Sequence, residues 1–189
     1  MASTYTLKLA GIAQDLHDRF HLQHETDPEL TKEIKSFWKD VGDPFPGVST
    51  PWSAVFISAC VKRAGAKSSE FDFSPAHAVF VNKAIKNAIA GIGVFHGRKI
   101  TEHPPQIGDI IQNNRGGNTF DFDHARKRSD YASHSAIVVE TGMDSGGGFA
   151  LTIGGNEGDS IRQTVVRLDK DGLIKQVGSR FICVIQTLK

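Results

Sequence analysis

The apolar residues change period near the middle of the chain, and that change restricts the fold more than any other feature of the sequence. Up to Gly91 they recur at three- and four-residue intervals, and beyond it they alternate or run in short β-branched stretches. Tyr5 to His21 sets Leu9, Ile12, Ala13, Leu16 and Phe20 on one helical face. Thr26 and Glu29 form a capping-box pattern around Pro28, and Leu30, Ile34, Phe37, Trp38 and Val41 continue a second helix until GDPFPGVST breaks it. Ser49 or Thr50 as cap, with Pro51 at the first helical position, predicts a third helix through Val55, Phe56 and Ala59 that Gly65 stops. Ser74-Pro75 repeats the signal and opens a fourth helix through Ala78, Val81, Ala84, Ile85 and Ile89 to Gly91.

Strand patterns follow over Asp109 to Gln112, Ala136 to Thr141, Phe149 to Ile153, Thr164 to Leu168 and Phe181 to Leu188, separated by Gly, Asn and Asp turns. Helices first and strands later predict an α+β layer fold, with the N-terminal helices packed on a mostly antiparallel sheet of about five to six strands. No composition shift divides the chain, so residues 1–189 read as a single domain. The stretch NNRGGNTFDFDHARKRSDYAS is too long for an ordinary turn and reads either as a functional loop or as a plain surface loop.

Lys and Arg total 22 against 21 Asp and Glu with no long run of either sign, which removes the electrostatic footprint of a nucleic-acid or anionic-membrane binder. No transmembrane-length apolar run occurs, and MASTYTLKLAGIAQDLHDRF lacks the apolar centre of a secretory signal. A chain made in the cytoplasm without a signal peptide is the expectation. Cys60 and Cys183 are both flanked by apolar residues and read as buried thiols, with a disulfide open if helix and strand pack face to face.

Three residues combine into a reactive constellation. Ser53 falls in the first turn of the third helix, where the dipole is positive and unpaired amides could meet an oxyanion. His134 begins the strand SHSAIVVE, and Asn156 follows the strand FALTI in Gly154-Gly155-Asn156, where the glycines allow close approach. A hairpin across MDSGGG brings His134 and Asn156 to the same end of the sheet. The expected roles are Ser53 as nucleophile, His134 as general base and Asn156 as the group orienting the imidazole. Plain alternatives stand beside them: a helix serine satisfying an amide, an edge histidine and an ordinary Gly-Gly-Asn turn.

Around these, Trp52, His77 and Tyr131 are candidates for lining a substrate cleft. The plainer readings are Trp52 as a core or groove-wall aromatic, His77 as a surface or structural residue of its helix's first turn, and Tyr131 as loop-base packing. Asp121, Asp123 and His124 lack a recognised metal spacing. Cys60 lies about 10 Å along the helix from Ser53, too deep to replace it as nucleophile.

PWSAVF, a GDI strand start, SHSAIVV and IGGNEGDSI together resemble the CHAP and NlpC-type papain-like amidases of bacteria, and more closely a related bacterial domain family of unknown function. The resemblance covers most of residues 49 to 189. It implies a papain-like fold, cleavage of amide bonds in cell-wall peptides without a cofactor, and Ser53, His134 and Asn156 as the matching positions. The amidases carry cysteine where this chain has Ser53; a serine hydroxyl is hardly ionised at neutral pH and depends on a base. The resemblance further implies a secreted antibacterial effector, exported by a specialised secretion system to the periplasm and held in check by a neutralising immunity protein. Two other functions fit the same residues: an inactive amidase fold that binds without cutting, and a serine esterase.

Overall fold

Glycine and proline punctuation delimits the helices in the computed structural model, which describes residues 2–189. The helices are α1 (Thr4–Phe20), α2 (Pro28–Val41), α3 (Ser53–Ala64), α4 (His77–Ala90) and the short α5 (Phe122–Lys127). The strands are β1 (Phe95–Arg98), β2 (Ile110–Asn114), β3 (Ser133–Asp144), β4 (Gly147–Glu157), β5 (Ser160–Arg167) and β6 (Phe181–Thr187). Gly65 and Gly91 end α3 and α4 with left-handed φ values of 113° and 65°, conformations that glycine adopts without a Cβ clash. The fold is therefore α+β, with five helices and a six-stranded sheet.

Every neighbouring pair in the sheet is antiparallel, in the order β1-β6-β2-β3-β4-β5. Adjacent residues serve opposite faces, as the period of a strand requires. Ile110, Ile137, Ile153 and Ile185 join Leu9, Phe37, Phe56 and Phe80 of the helices, and Trp52 just before α3, in the larger core. Ile111, Val138, Ala150, Val166 and Val184 form a smaller cluster with Phe181 and Ile174. Fully buried Trp52 and Phe56 seat α3 on β4, where Gly155 leaves no room for a Cβ beneath their rings. Burying a large apolar side chain in this way stabilises the fold by roughly 1.5–3 kcal/mol each.

Several expected boundaries move. The α3 helix begins at Ser53 rather than Pro51, because fully buried Trp52 is anchored outside it by an indole N–H bond to Glu25 Oε2 at 2.8 Å. At α2 the N-cap is Asp27, not the Thr26 of a capping box, with Pro28 in the first turn. The N-cap of α4 is Ala76, and Ser74 instead accepts the Ala76 amide at 3.1 Å, so the helix opens at His77. Strand β1 was not expected from the sequence, since FHGR is short and lacks alternation. The long polar stretch contains α5, capped where Asp121 accepts the His124 amide at 2.8 Å. Cys60 and Cys183 are free and fully buried, without a disulfide. No helix among the described residues is long and apolar enough to cross a membrane.

Candidate active site

Two helix starts meet at the centre of the site. Ser53 is the first residue of α3, and the first intrahelical hydrogen bond runs from the Phe56 amide to the Trp52 carbonyl at 3.1 Å. Trp52 supplies no side-chain cap, so the amides of the first turn are not used up by one. Ser58, one turn further along α3, donates to the Ser74 carbonyl at 3.0 Å and accepts the Ser74 amide at 3.1 Å. That clamp fixes the segment leading into α4 and delivers its first residue, His77, to Ser53. Ser53 Oγ and His77 Nε2 lie 2.8 Å apart, with the two residues only 3% and 6% exposed.

Burial, followed by the charges of His134 and Arg115, holds the His77 imidazole well below the usual histidine range. The ring is thus neutral at neutral pH, with Nε2 facing the Ser53 hydroxyl. Its Nδ1 is buried and has no hydrogen-bond partner.

A second pair stands against the first. His134 Nε2 lies 2.8 Å from Glu157 Oε1, and Thr164 donates to the other carboxylate oxygen at 3.1 Å. The rings of His77 and His134 have centroids 5.4 Å apart at 60°. His134, Asn156 and Glu157 share a cleft of about 280 Å³ whose floor includes Ile111, Val166 and Phe181 of the smaller apolar cluster. Ser53 and His77 do not line that cleft, which His77 approaches only through its ring contact with His134, whereas the exposed Arg115 and Arg180 stand on the wall.

The structure brings His134 and Asn156 to one end of the sheet but pairs the reactive groups differently from the sequence reading. Ser53 bonds His77 rather than His134. Asn156 gives its amide to Glu25 Oε2 at 3.0 Å and makes no bond to His134, a contact that Glu157 takes instead. The cause is a register shift between Gly155 and Glu157, with Asn156 at a left-handed φ of 57°. One extra residue exchanges the faces on which its neighbours project. Glu157 was missed for this reason; its position one residue beyond Asn156 was the only signal in the sequence.

The remaining candidates are dispersed. Trp52 is core, bonded to Glu25 and outside the cleft. Tyr131 receives a bond from Gln112 at 3.0 Å and packs edge-on against Phe120 and His124, in a separate depression. Its phenol is pushed up by burial, as is the Cys60 thiol, which is enclosed and inert as a nucleophile. His124 stacks on Phe120 at 4.1 Å.

Residues 22–182 match the model of a family described as an uncharacterized protein conserved in bacteria (DUF2272). No curated protein and no solved structure matches the chain.

Proposed function

This chain belongs to that bacterial family, and from the geometry of its site we propose that it hydrolyses amide bonds of bacterial cell-wall peptides on a papain-like variant of the α+β fold, with Ser53 as nucleophile. The observation that carries this reading is the 2.8 Å contact between Ser53 Oγ and the neutral His77 imidazole at the head of α3. His77 takes the hydroxyl proton as Oγ bonds to the carbonyl carbon, and the first-turn amides meet the resulting oxyanion. The C–N bond then breaks as His134, held by Glu157, gives a proton to the departing amine. Water cleaves the acyl-serine by the same steps in reverse order. The scheme draws on this chain's own groups alone. We extend the proposal, from the resemblance of the short motifs, to action in the periplasm with a neutralising partner protein guarding the producing cell.

The test is release of new amine ends from purified peptidoglycan. Wild-type protein releases them, and Ser53→Ala abolishes release while circular dichroism stays unchanged. Release that survives Ser53→Ala but is lost in His134→Ala moves the chemistry to the pair in the cleft and removes Ser53 from it. Turnover of esters with no release of amine ends turns the assignment to an esterase.

A second reading rests on the near-complete burial of Ser53 and His77, neither of which lines the cleft. In it their bond is structural, and the cleft binds a cell-wall fragment without cutting it. Binding without turnover in both the wild type and Ser53→Cys decides for this reading.

A further inference from the structure

The chain has nine arginines, and seven of them have an anionic or polar acceptor within the protein. Of the arginines, all of which are described, only Arg115 and Arg180 make neither a side-chain hydrogen bond nor an ion pair; Arg180 lies over the Phe181 ring, 5.1 Å from its centroid, and both stand on the wall of the His134 cleft. Their placement follows from the sheet. Arg115 directly follows β2 and Arg180 directly precedes β6, and these strands are neighbours. The Asn114 amide donates to the Arg180 carbonyl at 2.8 Å, so the two backbones are tied at one rim. Two guanidinium groups on one cleft wall without counter-charges raise the positive potential there, and a bound anion is drawn to it.

The only carboxylate on the cleft wall, Glu157, is already engaged by His134 and Thr164. The side of the cleft that carries the arginines is therefore left with uncompensated positive charge. Arg115 is close enough for its charge to act on His77, which sets this rim beside the reactive histidines. The floor, with Ile111, Ala136, Val166 and Phe181, is apolar. An apolar floor under a cationic rim suits the end of a short peptide better than a bare inorganic ion, and about 280 Å³ admits little more than such an end.

We propose that Arg115 and Arg180 form a clamp for a free carboxylate of the substrate, so that the cleft selects peptides ending in, or bearing, a carboxylate next to the bond presented to His134. The peptide nature of the ligand rests on the hydrolase reading; the selection of an anion does not.

The experiment measures binding, so that turnover does not enter. The Ser53→Ala protein is titrated calorimetrically with N-acetyl-D-alanyl-D-alanine, with its C-terminal amide and with inorganic phosphate. The free carboxylate is expected to bind at least about tenfold more tightly than the amide. Arg115→Ala and Arg180→Ala are each expected to weaken it roughly tenfold with the melting temperature unchanged, as both side chains are exposed. Affinity should also fall as salt rises. Equal affinity for carboxylate and amide, indifference to both arginine substitutions, or binding of phosphate but not of the peptide overturns the clamp. Hydrolysis by the wild type without carboxylate preference leaves the hydrolase reading standing and removes only the clamp, whereas carboxylate-selective binding without hydrolysis does the reverse.

Discussion

Gly154 decides whether His134 and Glu157 can meet. A Cβ built on Gly154 would overlap Glu157 Oε1 and lie 2.8 Å from His134 Nε2, while the backbone there does not require a positive φ. Gly154→Ala should therefore push the two polar tips apart at little cost to the fold, with stability within about 1 kcal/mol of wild type, because side-chain ends can move. Hydrolysis should fall by about tenfold or more if His134 serves as the acid. Chemical denaturation and the amine-release assay check the two halves separately; an unchanged rate excludes the pair from the reaction. The need for close approach at this glycine pair was legible in the sequence, as was the position of His134 at the start of its strand. The identity of the third residue was not, because a left-handed Asn156 inserted in the register shift turns Glu157 toward the histidine, and alternation alone cannot count such an insertion.

Between elements, the contact that matters is the clamp of Ser58 on Ser74, which joins α3 to the approach of α4. Ser58 is fully buried, and replacing it with alanine leaves the Ser74 amide and carbonyl without these partners. Ser58→Ala is expected to lower stability by about 1–3 kcal/mol and to reduce hydrolysis further than that loss explains, since His77 is no longer held against Ser53. Rates measured well below the melting temperature, compared with wild type, make the check; a normal rate in the folded variant means that α4 is positioned without the clamp. The four longer helices were legible from their apolar spacing, and five of the six strands from their β-branched runs. The meeting of two helix N-termini was not legible, because it depends on how a segment without periodicity, from Ala66 to Ala76, folds back. This is why His77 read as a cleft or surface residue rather than as the partner of Ser53.

Across the whole molecule, the buried Ser53–His77 pair ties stability to pH. In the folded protein His77 resists protonation, chiefly through burial, whereas in the unfolded chain it titrates near the usual 6.5. As pH falls through that value the unfolded chain takes up a proton that the folded one refuses, and the folded state loses ground. The loss approaches about 1.4 kcal/mol per pH unit and stops once the pH passes below the depressed folded value; above the usual value the contribution is constant. Other groups add their own slopes, so the measurement is a difference. Urea unfolding of wild type and His77→Gln at intervals from pH 7.5 to pH 5 should give a shallower decline in the variant, with the gap opening below about pH 6.5. Parallel curves would mean that His77 titrates in the folded protein as it does in water, and the neutral base facing Ser53 would be lost. If that base operates, the wild-type rate should also hold through pH 6.5 and weaken only in more acidic solution, because the proton acceptor stays unprotonated where an exposed histidine would already carry charge.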